Sequence, residues 1–161
     1  GCDGAWVVGS PVIKGMARAM DIHVEEVPGA TADLKTDLKG KVLKSLELLD
    51  KYDFVILHIL GCDITSHDKN PKLGSLFIEK IDREVFRRIL EYVNFDKTLL
   101  VVCSDHPVSS KTGEHIPGFM PFLFFTNGIE SNKIQSFDEK ACKDGPAIFI
   151  EDFMEEVLSR L

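Results

Sequence analysis

The sequence is poor in several things that would fix its class at once. No apolar run approaches the length of a bilayer span, and no signal peptide is visible, so neither a helical membrane protein nor a secreted one is indicated. Basic residues are outnumbered: 19 Lys and Arg face 26 Asp and Glu, a net charge of −7, which argues against nucleic acid and against an anionic membrane as partners. The four cysteines, Cys2, Cys62, Cys103 and Cys142, show no C-x-x-C spacing and read as reduced thiols of a cytoplasmic protein. Internal repeats, low-complexity tracts and linkers long enough to divide the chain are missing as well. So is an initiator Met: "GCDGAWVVGS" enters strand-like residues almost at once, and the expectation is a chain cut from something longer.

What is present suits one domain with a single core, 161 residues with 44% apolar and 28% charged content. Strand-like and helix-like segments alternate. "AWVVG" (5–9) reads as a strand. "SPVIKGMARAM" (10–20) reads as a helix, with Ser10 as N-cap, Pro11 at the first turn, and Val12, Ile13, Met16, Ala19 and Met20 roughly on one side. "DIHVEEV" (21–27) is a weaker strand ending at the Pro28-Gly29 turn. Residues 36–52 repeat Leu38, Val42, Leu46 and Leu49 at helical spacing, with lysines and acids on the other face. "DFVILHIL" (53–60) is apolar on both sides, as a central parallel strand is. Residues 71–93 give the longest helix, with Leu73, Leu76, Phe77, Ile81, Val85, Leu90 and Val93 inward. "KTLLVVCSD" (97–105) and "MPFLFFTNG" (120–128) read as buried strands, and 148–161 as a closing helix. The alternation predicts an α/β fold, a three-layer α/β/α sandwich with a mostly parallel sheet.

Ligands of open parallel sheets sit at the carboxyl ends of strands. Three polar clusters fall there by chain order: Asp63 and His67, in an expected loop after strand 53–60; Asp105 and His106, closing strand 97–105; and His115, before strand 120–128. Taken singly, Asp63 is a loop acid or cap, His115 a solvated histidine, and only Asp105 stands out, since burying a carboxylate costs several kcal/mol unless it is paired or bound. Together, two Asp and three His form a metal-ligand set of mixed oxygen and nitrogen donors, suited to Zn, Mn or Fe. His58, inside a strand, and His23, at the surface, read as structural, and Cys62 as a packing residue more than a soft ligand.

"CDITSHDKN", "IEKID", "VVCSDHP" and "GEHIPGFMPFLFF", in this order and spacing, resemble the C-terminal part of the archaeal-type cofactor-independent phosphoglycerate mutases of the alkaline phosphatase superfamily. "SPVIKGMARAM" and the Pro28-Gly29-Ala30-Thr31 turn extend the likeness over about residues 10–125. The resemblance implies an alkaline phosphatase-like fold, here incomplete, and a reaction interconverting 3- and 2-phosphoglycerate through a phosphoserine. It also implies two divalent ions, Mn or Zn with Mg as a further candidate. Asp63, His67 and His115 would hold one ion, and Asp105 and His106 the other. The family's nucleophilic Ser and a further Asp ligand have no match here, and Asp3 sits too near the start to supply one. The expectation is therefore a metal-binding portion lacking the nucleophile segment and the inserted lid domain, inactive alone, whose substrate is a small phosphorylated compound. Two departures keep a second reading open, that of a phosphatase or another phosphomutase. Pro107-Val108-Ser109 follows His106 where the family has Ser-Thr-Pro, and Ile116-Pro117-Gly118 follows His115 where the family has Ser or Thr, Gly, Asp and Pro.

Overall fold

A computed structural model describes residues 2–161, which form two compact units: one runs to Val93 and includes Val108–Glu114, the other comprises Asn94–Pro107 with His115–Leu161. In chain order the first contains β1 (Gly4–Val7), α1 (Pro11–Ala19), β2 (His23–Glu25), α2 (Leu38–Leu48), β3 (Phe54–Leu57), α3 (Gly61–His67), α4 (Pro71–Ile81), a π turn (Asp82–Phe86) and α5 (Arg87–Tyr92). The strands make a parallel sheet in the order β2-β1-β3, with Ala5 beside both His23 and Val55. The class is α/β, as the alternation predicts.

Local chemistry sets the element ends. Pro11 opens α1, where its missing N–H costs nothing, and the Asp37 side chain caps α2 by accepting from the Gly40 amide at 2.9 Å. Asn70 caps α4 through the Leu73 amide. One core cluster joins Leu38 and Val42 of α2 to Phe77 and Val85, and a second gathers Ala5, Val7 and Leu48 under β1.

Several expectations need correction. Residues 61–67 are not a loop but two turns of helix. The long helix over 71–93 is interrupted by the π turn, and Leu73, Leu76 and Leu90 lie exposed while Phe77 and Val85 are buried. β3 is an edge strand of the described sheet, with Phe54 and Ile56 exposed. Val12 and Met16 of α1, and Met20 just past it, are also open, and Ala17 alone in that helix is buried. Lys41, placed by its type on the solvent face of α2, is 1% exposed.

The second unit holds β4 (Leu100–Cys103), β5 (Phe122–Phe125) and α6 (Phe153–Leu158). β4 and β5 pair antiparallel, with Leu100 opposite Phe125, and both are half-buried. A parallel pair needs a crossover, usually a helix. The connection between these strands carries Pro107, Pro117 and Pro121 and forms no helix, so β5 returns directly alongside β4. Phe95 packs edge-on to Phe125, and Phe122 and Phe124 meet Phe153 of α6. Helix forms over only six residues of the expected 148–161.

Candidate functional site

α3 follows the carboxyl end of β3, the edge of a parallel sheet where ligands bind. Its seat is narrow. A side chain on Gly61 would fall 2.3 Å from the Phe77 ring, and one on Gly74 would fall 2.9 Å from the Thr65 hydroxyl, so α3 and α4 approach closely because both positions are glycine. Thr65, fully buried, donates to the Cys62 carbonyl at 2.8 Å. The Cys62 thiol turns into the core, and burial pushes its pKa up, which makes it a packing group rather than a thiolate ligand.

The helical spacing places Asp63 and His67 on one face, four residues apart. His67 Nδ1 lies 2.7 Å from the Gly113 carbonyl. A carbonyl only accepts, so Nδ1 carries a proton and donates to it, which leaves Nε2 as the nitrogen turned toward Asp63. That Nε2 stands 3.3 Å from Asp63 Oδ1, yet Asp63 Oδ1 is buried without a hydrogen-bond partner among the described residues. The approach therefore lacks hydrogen-bond geometry, and an imidazole nitrogen and a carboxylate oxygen face the same small space. One nitrogen with one carboxylate oxygen suits a divalent ion of borderline hardness. A ring whose other nitrogen donates to a backbone carbonyl is the usual support of a metal-ligating histidine.

Gly113 was not singled out by sequence reasoning. It occupies φ +74°, and a Cβ there would sit 2.7 Å from the His67 carbonyl oxygen, so both conformation and proximity demand glycine. The only signal was a Gly two residues before a candidate histidine.

In the second unit, Asp105 and His106 follow β4 directly. The His106 ring stacks on His115 with centroids 3.9 Å apart and planes inclined by 24°. The Ile116 amide donates to the Pro107 carbonyl at 3.1 Å, tying together the segments that carry the two histidines. His106 Nδ1 is buried with no hydrogen-bond partner among the described residues, and its Nε2 lies 3.5 Å from Asp105 Oδ2. The Asp105 side chain is 82% exposed, contrary to the expectation of a buried carboxylate. Two stacked imidazoles and an adjoining carboxylate again make a nitrogen and oxygen donor set.

The remaining candidates fall elsewhere. Asp3 exchanges backbone and side-chain hydrogen bonds with Asp53 before β1 and β3 begin, at the amino edge of the strands, which removes it from any site at their carboxyl edge. His23 stacks on Tyr52 and meets Glu25 at 3.0 Å, a surface arrangement. His58 continues β3, its amide donating to the Val7 carbonyl at 3.0 Å. All four cysteines are free thiols. No helix among the described residues is long and apolar enough to cross a membrane.

Comparison with known proteins puts these features in a family context. The sequence profile of the Metalloenzyme superfamily matches residues 5–151. A 2,3-bisphosphoglycerate-independent phosphoglycerate mutase of Thermococcus gammatolerans is 35% identical over 139 residues, covering 86% of this chain and 34% of that protein. A protein of the same name from Methanocaldococcus jannaschii is 34% identical over 92% of this chain and 36% of its own length. Among solved structures, a Pyrococcus horikoshii protein superposes with a TM-score of 0.84 at 32% identity, over 89% of this chain and 44% of that one. The cofactor-independent phosphoglycerate mutase of Thermoplasma acidophilum superposes at 0.72 with 27% identity, over 98% of this chain and 36% of that one. The chain thus spans about a third of the length of the curated relatives it matches.

Proposed function

The chain belongs to the Metalloenzyme superfamily, and from that membership we propose that it is the metal-ligating part of a phosphoglycerate mutase that needs no bisphosphoglycerate cofactor. The observation that carries the reading is the Asp63–His67 pair: a buried oxygen without a hydrogen bond, 3.3 Å from a nitrogen of an imidazole ring held by the Gly113 carbonyl. His115 follows Gly113 by two residues along the chain, and Asp63, His67 and His115 would hold one divalent ion. Asp105 and His106 would contribute to a second. Bound there, Mn or Zn would supply the positive charge that offsets the charge of a phosphoryl group in transfer. Such binding requires the imidazoles neutral and the carboxylates ionised. The substrate is then a small phosphorylated compound, phosphoglycerate first, as the relatives' names suggest.

Activity of the complete protein supplied with Mn provides the test. Conversion of 3- to 2-phosphoglycerate is expected. Asp63→Asn should lower kcat by more than the roughly 10–100-fold that loss of a group behind a metal ligand costs. No conversion with Mn present would refute the mutase reading.

One observation favours a second reading, a phosphatase or another phosphomutase. The two places where the sequence departs from the family pattern pack on each other: Ile116 bonds to Pro107, and a Cβ on Gly118 would lie 3.4 Å from the Pro107 ring. A coupled change beside His106 and His115 fits an altered substrate contact. Hydrolysis of a simple aryl phosphate faster than mutase turnover would select this alternative.

A further inference from the structure

Lys41 is a buried cation for which the proposed chemistry has no use. Its side chain is 1% exposed in the interior face of α2, and its ammonium donates to the backbone carbonyl of His58. No carboxylate bonds to it among the described residues. The charge that acts on it is another cation, Lys14 of α1, which is itself paired with Glu26. A charge buried without a counter-ion is expensive, and a methionine of similar length would fill the same space at lower cost. Burial and the neighbouring Lys14 pull the ammonium down to about 8, the mark of an unfavourable setting for the charged form.

The position of the one acceptor gives the cation a use. His58 is the first residue beyond β3, its amide bound to Val7 of β1 and its carbonyl bound to Lys41. Three residues later α3 begins, and α3 carries Asp63 and His67. On the far side α3 is fixed by glycine contacts with α4. Lys41 supplies the other anchor, at the point where strand gives way to helix. We propose that Lys41 is a positioning residue for the Asp63–His67 pair, holding the β3–α3 junction through the His58 carbonyl at the expense of the stability of the fold. This rests on the metal-ligating reading of that pair.

The two consequences have opposite signs, which distinguishes positioning from ordinary packing. In the complete protein, Lys41→Met is expected to melt higher than wild type at pH 7 and to bind Mn²⁺, added alone, about tenfold more weakly in a calorimetric or paramagnetic-resonance titration. Lys41→Arg, which keeps a cationic donor, should recover most of the affinity. Unchanged Mn²⁺ affinity in Lys41→Met overturns the proposal, and so does a parallel loss of stability and affinity, which would make Lys41 a core residue only. Wild-type protein that binds no Mn²⁺ would overturn the metal reading itself, a result separable from either of these.

Discussion

At the scale of single residues, type and environment disagree most at Lys41. Helical spacing marks Leu38, Val42 and Leu46 as the inner face of α2 and, by its type, Lys41 as outer. The side chain nevertheless turns inward, because a backbone carbonyl just past the end of β3 is there to accept it. Spacing alone puts position 41 on the buried stripe with Leu38, Val42, Ser45 and Leu48, but a lysine there argues against burial until its acceptor, seventeen residues away, is known. The consequence can be measured. The ammonium has its ordinary value of 10.5 when unfolded and about 8 when folded, so between those pH values the unfolded chain binds more protons. Stability from this group therefore rises with pH across that window. The full penalty, roughly 3 kcal/mol by linkage, applies below pH 8 and is gone above 10.5. Denaturant unfolding of wild type and Lys41→Met should show a gap in favour of the variant at pH 7 that closes toward pH 10.5. A gap independent of pH would mean that the charge is not the cause. Gly113 illustrates the converse, a residue whose role could be read only once its positive φ and the His67 carbonyl were both in view.

At the scale of elements, the long segment after Asn70 shows what pattern reading captures and what it loses. Phe77, Ile81, Val85 and Ile89 all face one core cluster, four residues apart each time. An α-helix repeats every 3.6 residues, so a strict spacing of four drifts by about 40° per step. The π turn over Asp82–Phe86 takes up that drift by adding a residue to one turn, and Val85 thereby reaches the interior. Phe77, Ile81 and Val85 are legible in the sequence as inner residues, but Leu90 reads inward in place of Ile89, because the π turn that shifts the register leaves no mark in the spacing. The segment 61–67 failed for another reason. Gly61 and its polar neighbours signal a loop, but the glycine is there for the Phe77 ring, and once the ring is seated the next two turns are free to be helical. In Gly61→Ala the added methyl must displace a ring that is 4% exposed. Overpacking of that kind costs about 1–3 kcal/mol. The same displacement should shift α3 and weaken Mn²⁺ binding along with the melting temperature. A variant that keeps wild-type stability and affinity would show that the helix seat is looser than its contacts imply. Both histidine segments of the second unit lay in plain sequence view, yet their stacking depends on the bond from Ile116 to Pro107, a pairing that spacing does not specify.

At the scale of the molecule, alternation of strand and helix was enough to give the class, because each amphipathic segment demands an apolar neighbour. It was not enough to say which faces are covered. The stripe of Val12, Met16 and Met20 and the outer residues of β3 look like core in the sequence and stand open in the described structure. Stability must therefore be drawn from a modest set of buried side chains, and a bound ion becomes a large contributor by comparison. A ligand that binds the folded state alone stabilises it by RT ln(1 + [L]/Kd), about 2.7 kcal/mol at a hundredfold excess over Kd. For a chain of this size that is roughly 5–10 °C in Tm. Thermal unfolding with Mn²⁺ at such an excess should rise by that amount, and a chelator should reverse the rise. Asp63→Asn should abolish most of it, since it removes the negative charge of the carboxylate whose Oδ1 has no hydrogen bond. The competing arrangement is one in which Asp63 and His67 share a proton rather than an ion. In that case the melting temperature would respond to pH and not to Mn²⁺, and Asp63→Asn would unfold the same way with the metal as without it.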